Sequence, residues 1–237
     1  MTETVAVIHR VLSTGSSFPS LVESATGHRY VMKLSGAGPG RRALVTEYLA
    51  LAIAGQYGLP VPEAHVLDLP RDFPWQTGTD EFYVAAQRSA GANLGVAYIP
   101  DAHDLKAQDL AGLPAPFANR LAAVDALLQN VDRTAANPNI MRDAAGVHWA
   151  IDFGACLLIE RLARGVREPQ RDLPSNHFLA DESRTSSSAR EVAQAIETTH
   201  LQTNIAALPD VWLDDLGLSR SALQDRMSEY LEALRAA

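Results

Sequence analysis

Two rhythms of apolar residues divide the chain. Up to about residue 90 they come mostly in short β-type runs, at 5–11 (VAVIHRV), 21–24, 28–34 (HRYVMKL), 64–69 and 82–87. Gly, Ser and Pro punctuate them, at 13–19 and at the Ala25-Thr26-Gly27 turn, and this pattern predicts a small sheet of connected strands. Residues 43–57 (ALVTEYLALAIAGQY) break the rhythm as a helix ended by Gly58, Pro60 and Pro62. Leu44, Tyr48, Leu51 and Ile53 give it a broad apolar surface, with Glu47 on or beside that surface. Farther along, helical spacing dominates. Residues 120–129 place Leu121, Val124, Leu127 and Leu128 on one face, and two more helical stretches follow at 189–208 and 221–236. Between them, 140–142 and 147–151 read as a β-hairpin around a turn at 143–146. Residues 164–174 and 181–188 are polar and are expected to be irregular. The Ala- and Gly-rich stretch 89–95 suits a crossing between the strand-rich first part and the helical second part.

Chemistry enters at the hairpin. Asp132-Arg133-Thr134-Ala135-Ala136-Asn137 precedes it, and Asp152-Phe153-Gly154 leaves it. An Asp followed five residues later by Asn, then an Asp-Phe-Gly about twenty residues on, is the spacing by which kinase-type phosphotransferases place a base and two magnesium ligands. Each half alone also has a plain reading. Asp and Asn cap their own turns, and a carboxylate at a strand end can cap the turn that follows. Helix, Asp/Asn loop, hairpin and exit Asp in that order favour the phosphotransferase reading, because both carboxylates and the Asn amide can then converge.

Two features of the first part agree. A carboxylate on a buried helix face needs a partner, and Lys33, on the preceding strand, is the natural one for Glu47. Such a Lys–Glu pair holds α- and β-phosphates in kinases. The loop after the first strand carries Ser13, Gly15, Ser16 and Ser17, whose hydroxyls and backbone N–H groups suit a phosphate chain. The glycine-rich stretch 35–42 (SGAGPGRR) has the wrong spacing for a dinucleotide-binding turn and is expected to be a flexible connection.

Composition narrows the field. With 237 residues the chain can form one domain or two small lobes, and 47% hydrophobic with 20% charged residues is ordinary for a globular protein. A formal charge of −8 argues against a general nucleic-acid surface, although Arg41, Arg42, Arg88 and Arg133 are candidates for a local phosphate pocket. Cys156 is the single cysteine, which rules out an internal disulfide or a Cys-based zinc site; it is expected to be a small buried thiol, although its place two residues beyond Gly154 would put it near a nucleotide. Neither a signal peptide nor a membrane span is apparent, so a cytoplasmic location with no membrane partner is the default expectation.

With these residues assembled, the chain resembles the HipA-like kinases. The matching stretches are Tyr30-Val31-Met32-Lys33-Leu34, Glu47-Tyr48-Leu49 on to Gly58-Leu59-Pro60-Val61-Pro62, Asn130-Val131-Asp132-Arg133 through Asn137-Pro138-Asn139, and Ile151-Asp152-Phe153-Gly154. The resemblance implies an α+β, two-lobed protein-kinase-like fold, with a β-rich N-lobe over residues 1–90 and a helical C-lobe over 91–237. It implies use of ATP and Mg²⁺ to phosphorylate a Ser or Thr hydroxyl on an unidentified protein or small-molecule partner. Carried over by position, Lys33 contacts the α/β-phosphates and Glu47 orients it. Asp132 accepts the hydroxyl proton, and Asn137 and Asp152 hold Mg²⁺. Ser13, Ser16 and Ser17 correspond to a loop autophosphorylated in some relatives. The chain departs from many relatives in having Thr134 where they have His, and Asn139 offers a second amide to a metal. A small-molecule phosphotransferase of the aminoglycoside or choline type and a silent nucleotide-binding module are the rival expectations.

Overall fold

The structure is a computed structural model and describes residues 2–12, 17–74, 78–180 and 187–236. It opens with β1 (Thr2–Val11), β2 (Ser20–Ser24) and β3 (Arg29–Lys33), followed by helix α1 (Arg41–Gln56) and β4 (Ala64–Leu69). Helix α2 (Asp80–Arg88) and β5 (Gly91–Ala97) complete the first half. These five strands close into a barrel in the order β1-β2-β3-β5-β4, shut by a short parallel pairing of Thr2, Glu3 and Thr4 of β1 with Val66, Leu67 and Asp68 of β4. Alternation explains its core: Tyr30 and Met32 of β3 point inward with Val22, Leu67 and Phe82, whereas Lys33 is on the other face. Gly95 of β5 is required by close approach, since a Cβ there would sit 2.6 Å from the Leu67 side chain.

Two expectations change here. Residues 82–87 form most of a helix, not a strand. Thr79 Oγ1 accepts the Phe82 N–H, Asp80 and Glu81 occupy the first turn and Arg88 the last, and Phe82, Ala85 and Ala86 are buried at helical spacing. Residues 89–95 do not cross between lobes, because β5 lies between β3 and β4 inside the barrel. The barrel therefore runs beyond residue 90, to Ala97, and the connection to the second half follows it.

That half holds β6 (His103–Asp104), a 3-10 turn (Ala107–Gly112), α3 (Ala115–Leu128) and the hairpin β7 (Ile140–Arg142) and β8 (His148–Ala150). Its remaining helices are α4 (Leu158–Ala163), α5 (Ser187–Ala195), α6 (Thr198–Ala207), α7 (Asp210–Leu216) and α8 (Arg220–Ala236). The helix expected over 189–208 is thus broken at Ile196 and Glu197, where the Thr-rich start of α6 resumes as a new helix. Helix α7 was not anticipated; Pro209 precedes it and Gly217, at φ 66°, ends it. The stripe Leu223, Met227, Tyr230, Leu231 and Leu234 is core, as expected.

Helix α1 holds the two halves together. Leu44 through Leu51 are buried without interruption, so the helix is covered all round: β4 and β5 lie on one side and α3, α4, α6 and α7 on others. Trp212 of α7, fully buried, donates its indole N–H to the Ala92 carbonyl of β5 and meets Tyr48 edge-on. Among the described residues, no helix is long and apolar enough to cross a membrane.

Candidate active site

Three elements meet at Lys33. Its strand turns the ammonium away from the barrel core toward α1, where Nζ donates to both carboxylate oxygens of Glu47, at 2.7 and 2.6 Å. The same nitrogen donates to Asp152 Oδ1 at 2.9 Å, across 119 residues of sequence. Burial opposes the ammonium, but the two carboxylates outweigh it and push its pKa up, so Lys33 is charged at any ordinary pH. Glu47 is almost wholly enclosed and burial pushes its pKa up, with the adjacent Lys33 ammonium opposing that rise. Asp152 differs. Its side chain remains 48% exposed, and although desolvation works against the carboxylate, Lys33 prevails and holds its pKa below the ordinary value.

Local geometry delivers Asp152 to that point. Ile151 N–H donates to the Asn139 carbonyl, and the chain then turns sharply through Asp152, whose φ of 57° is left-handed. Phe153 is buried beneath the Arg133 guanidinium, 4.7 Å from the ring centroid. Gly154 packs against α1; a Cβ there would lie 3.4 Å from Glu47 Oε2 and 3.7 Å from the Ala43 Cβ.

The Asp132 loop closes on itself. Thr134 and Asn137 exchange backbone hydrogen bonds, and Thr134 Oγ1 also accepts the Asn137 N–H. Asp132 Oδ2 accepts from Asn137 Nδ2 at 2.9 Å and from Asn139 Nδ2 at 3.4 Å. Asn139, noted as a further amide for a metal, thus touches the carboxylate of Asp132. Asp132 and Asn137 lie together, and Lys33 meets Glu47; Asp152, expected to converge with Asp132 and Asn137, has its hydrogen bond to Lys33 instead. Of the loop expected to face phosphates, Ser13, Gly15 and Ser16 lie outside the described residues. Ser17 is half-buried beside the end of β3, its carbonyl accepting the Leu34 N–H.

Arg133 belongs to another system. It is completely buried and cannot serve as an exposed phosphate ligand. Its Nε donates to Asp125 Oδ2 of α3, and its terminal nitrogens donate to the carbonyls of Pro138, Asn139 and Ile151. Asp125 also meets Asn130 Nδ2 at 3.1 Å and His177 Nε2 at 2.9 Å. This group was not anticipated, although an Asp inside the apolar stripe of α3 was a signal available in the sequence. Arg41 and Arg42 face α7 instead, where both meet Asp215. Cys156 is a buried thiol whose pKa burial raises well above its ordinary value, bridged in the backbone to Asn130.

A family model described as HipA-like kinase matches residues 5–236. The chain belongs to the HipA-like kinases. Among solved structures, the proinflammatory kinase CtkA of Helicobacter pylori matches this HipA-like kinase at 13% identity, covering 100% of this chain and 97% of that one, with a TM-score of 0.57. A MAP kinase of Leishmania major matches at 11% identity over 94% of this chain and 68% of its own, with a TM-score of 0.33. No curated protein matches by sequence. The family and the fold similarity to CtkA together establish a kinase-like protein with a strand-rich N-terminal part and a helical C-terminal part.

The ion cluster of this HipA-like kinase has a pH signature. In a Lys33→Met variant Glu47 loses its counter-ion and its pKa rises further. A folded-state pKa above the unfolded value gives stability that is present below about 4.5 and lost as pH rises through the folded pKa. The variant is therefore expected to be close to native at pH 4.5 and less stable by about 1–3 kcal/mol at pH 8. Denaturant midpoints at the two pH values check this; a pH-independent deficit would mean that Glu47 does not need Lys33.

Proposed function

We propose that this HipA-like kinase binds Mg²⁺-ATP between its barrel and its helical half and transfers the γ-phosphoryl group to a Ser or Thr hydroxyl. The observation that carries this reading is Lys33 held between Glu47 and Asp152, with each residue supplied by a different element. The acceptors of the ammonium are now all carboxylate oxygens. On nucleotide binding, an α- or β-phosphate oxygen replaces Asp152 at Lys33, while Glu47 keeps the ammonium aimed. Asp152 is then free to face the metal.

The donor set fits magnesium. The half-exposed Asp152 carboxylate and the exposed Asn137 amide carbonyl are hard oxygen donors, and Mg²⁺ commonly takes one or two protein ligands beside phosphate and water. When bound, the metal neutralises charge on the phosphates. Asp132 accepts the proton of the acceptor hydroxyl, whose oxygen forms a bond to the γ-phosphorus as the bond to the β–γ bridging oxygen breaks and ADP departs. Asn137 and Asn139 hold the base in orientation through Oδ2.

Titration calorimetry of ATP with and without Mg²⁺, on the native chain and on Asp152→Ala, tests the reading. The native chain is expected to bind at least about tenfold more tightly with the metal, because Asp152 both recruits it and otherwise repels the phosphates. Asp152→Ala is expected to bind ATP with no metal dependence. Absence of ATP binding by the native chain would end the proposal.

A further inference from the structure

His177 lies in the segment that follows the Asp-Phe-Gly turn and α4, far in sequence from every residue assigned above. It is 4% exposed. Its two ring nitrogens have different partners. The Leu179 backbone N–H, which can only donate, points at Nδ1 at 3.0 Å, so Nδ1 is the acceptor and the proton is on Nε2. Nε2 then donates to Asp125 Oδ2, at 2.9 Å. Asp125 in turn holds Asn130 by its amide nitrogen, and Asn130 Oδ1 accepts the backbone N–H of Asp132 at 3.2 Å. A continuous buried chain of hydrogen bonds therefore runs from His177 to the amide of the base.

The same segment grips the loop at two further points. Asn176 Nδ2 donates to the Val131 carbonyl at 2.8 Å, and Phe178 N–H donates to the Arg133 carbonyl at 3.3 Å. Gln129, just ahead of the loop, reaches the Asp172 carbonyl at 2.9 Å. Residues 172–180 thus form a strap along residues 129–133, and its one buried polar side chain enters the Asp125 network.

We propose that His177 is a positioning residue: through Asp125 and Asn130 it fixes Asp132 in the loop that presents it to the acceptor hydroxyl. The inference deepens the kinase reading and rests on it for its kinetic consequence, whereas its structural content, the ordering of residues 130–137, does not depend on phosphoryl transfer.

Two substitutions separate the two hydrogen bonds of the imidazole. His177→Gln keeps an N–H donor at the reach of Nε2 and so preserves the Asp125 contact. His177→Asn keeps an acceptor at the position of Nδ1 and so preserves only the local turn at Leu179. Backbone hydrogen exchange over residues 130–139 is read first, with barrel peptides as the internal standard. His177→Asn is expected to speed exchange there about tenfold and His177→Gln to leave it near native. Turnover of γ-labelled ATP with a Ser/Thr peptide array is then expected to fall about 100-fold in kcat for the Asn variant, with KM for ATP nearly unchanged, and to recover in the Gln variant.

Native exchange in His177→Asn, or a Gln variant that folds yet loses protection of the loop, overturns the proposal. Should the Asn variant not fold, the Gln variant alone decides by the same criteria. Altered exchange in a protein whose native form transfers no phosphate would overturn the kinase reading while leaving the positioning of the loop in place.

Discussion

An Asp132→Asn variant is expected to bind Mg²⁺-ATP with native affinity and to transfer phosphate about 10²–10⁴-fold more slowly. Asn fills the same space, and its carbonyl oxygen can take the place of Oδ2 in accepting from Asn137 and Asn139. The loop therefore keeps its shape while losing a group able to receive a proton. Single-turnover transfer from γ-labelled ATP, paired with calorimetry on the same sample, measures the two quantities separately. A variant that turns over at the native rate would remove Asp132 from the role of base, and one that loses ATP binding would place it in nucleotide recognition instead.

The largest expected effect on stability lies deeper. Replacing Arg133 by Met retains much of the side-chain volume but strands Asp125, whose carboxylate is fully buried, and removes donors from the carbonyls of Pro138, Asn139 and Ile151. Breaking a buried pair by deleting one partner costs about 3–5 kcal/mol, a large fraction of the roughly 5–15 kcal/mol that a domain has in total. Lys is not expected to rescue the position, because one ammonium cannot reproduce a fork that serves a carboxylate and several carbonyls at once. The double change Asp125→Leu with Arg133→Met is expected to be less harmful than Arg133→Met alone, since it removes the stranded charge. Urea denaturation of the three variants checks the order; a double variant worse than the single one would mean that the carboxylate is adequately held by Asn130 and His177.

The sequence disclosed the site more fully than its supports. Lys33 and Glu47 could be paired because a carboxylate on an apolar helix face demands a counter-charge, and Lys33 lies on the strand that precedes that helix. The hairpin was legible because Asp143 and Gly146 mark its turn, and in the structure Asp143 accepts both the Val147 N–H and the Trp149 indole. Helix α2 was misjudged because Phe82, Tyr83 and Val84 favour strands by type, while the signals that decided the matter were the Thr79 cap and the burial of Phe82, Ala85 and Ala86 on one face. Arg133 reads as a candidate for a phosphate pocket because its own neighbourhood is polar. Nothing within a few residues of it indicates burial; its partners come from α3, from the far end of its own loop and from β8's exit, and only the fold brings them together. The strap residue His177 was silent for the same cause.

The enclosure of α1 has a consequence for how the molecule comes into being. The barrel strands and α1 are made before α7, yet the surface of α1 around Tyr48 is covered by Trp212, and its N-terminal arginines reach Asp215, 173 residues beyond Arg42. During synthesis the Glu47 helix must emerge with that flank bare and stay so until α7 leaves the ribosome. Contacts between such distant parts form slowly, and bare apolar flanks attract other chains in the interval. A chain cut short before α7 would hold every residue assigned to phosphate chemistry and still leave the helix that aims Lys33 without its outer wall.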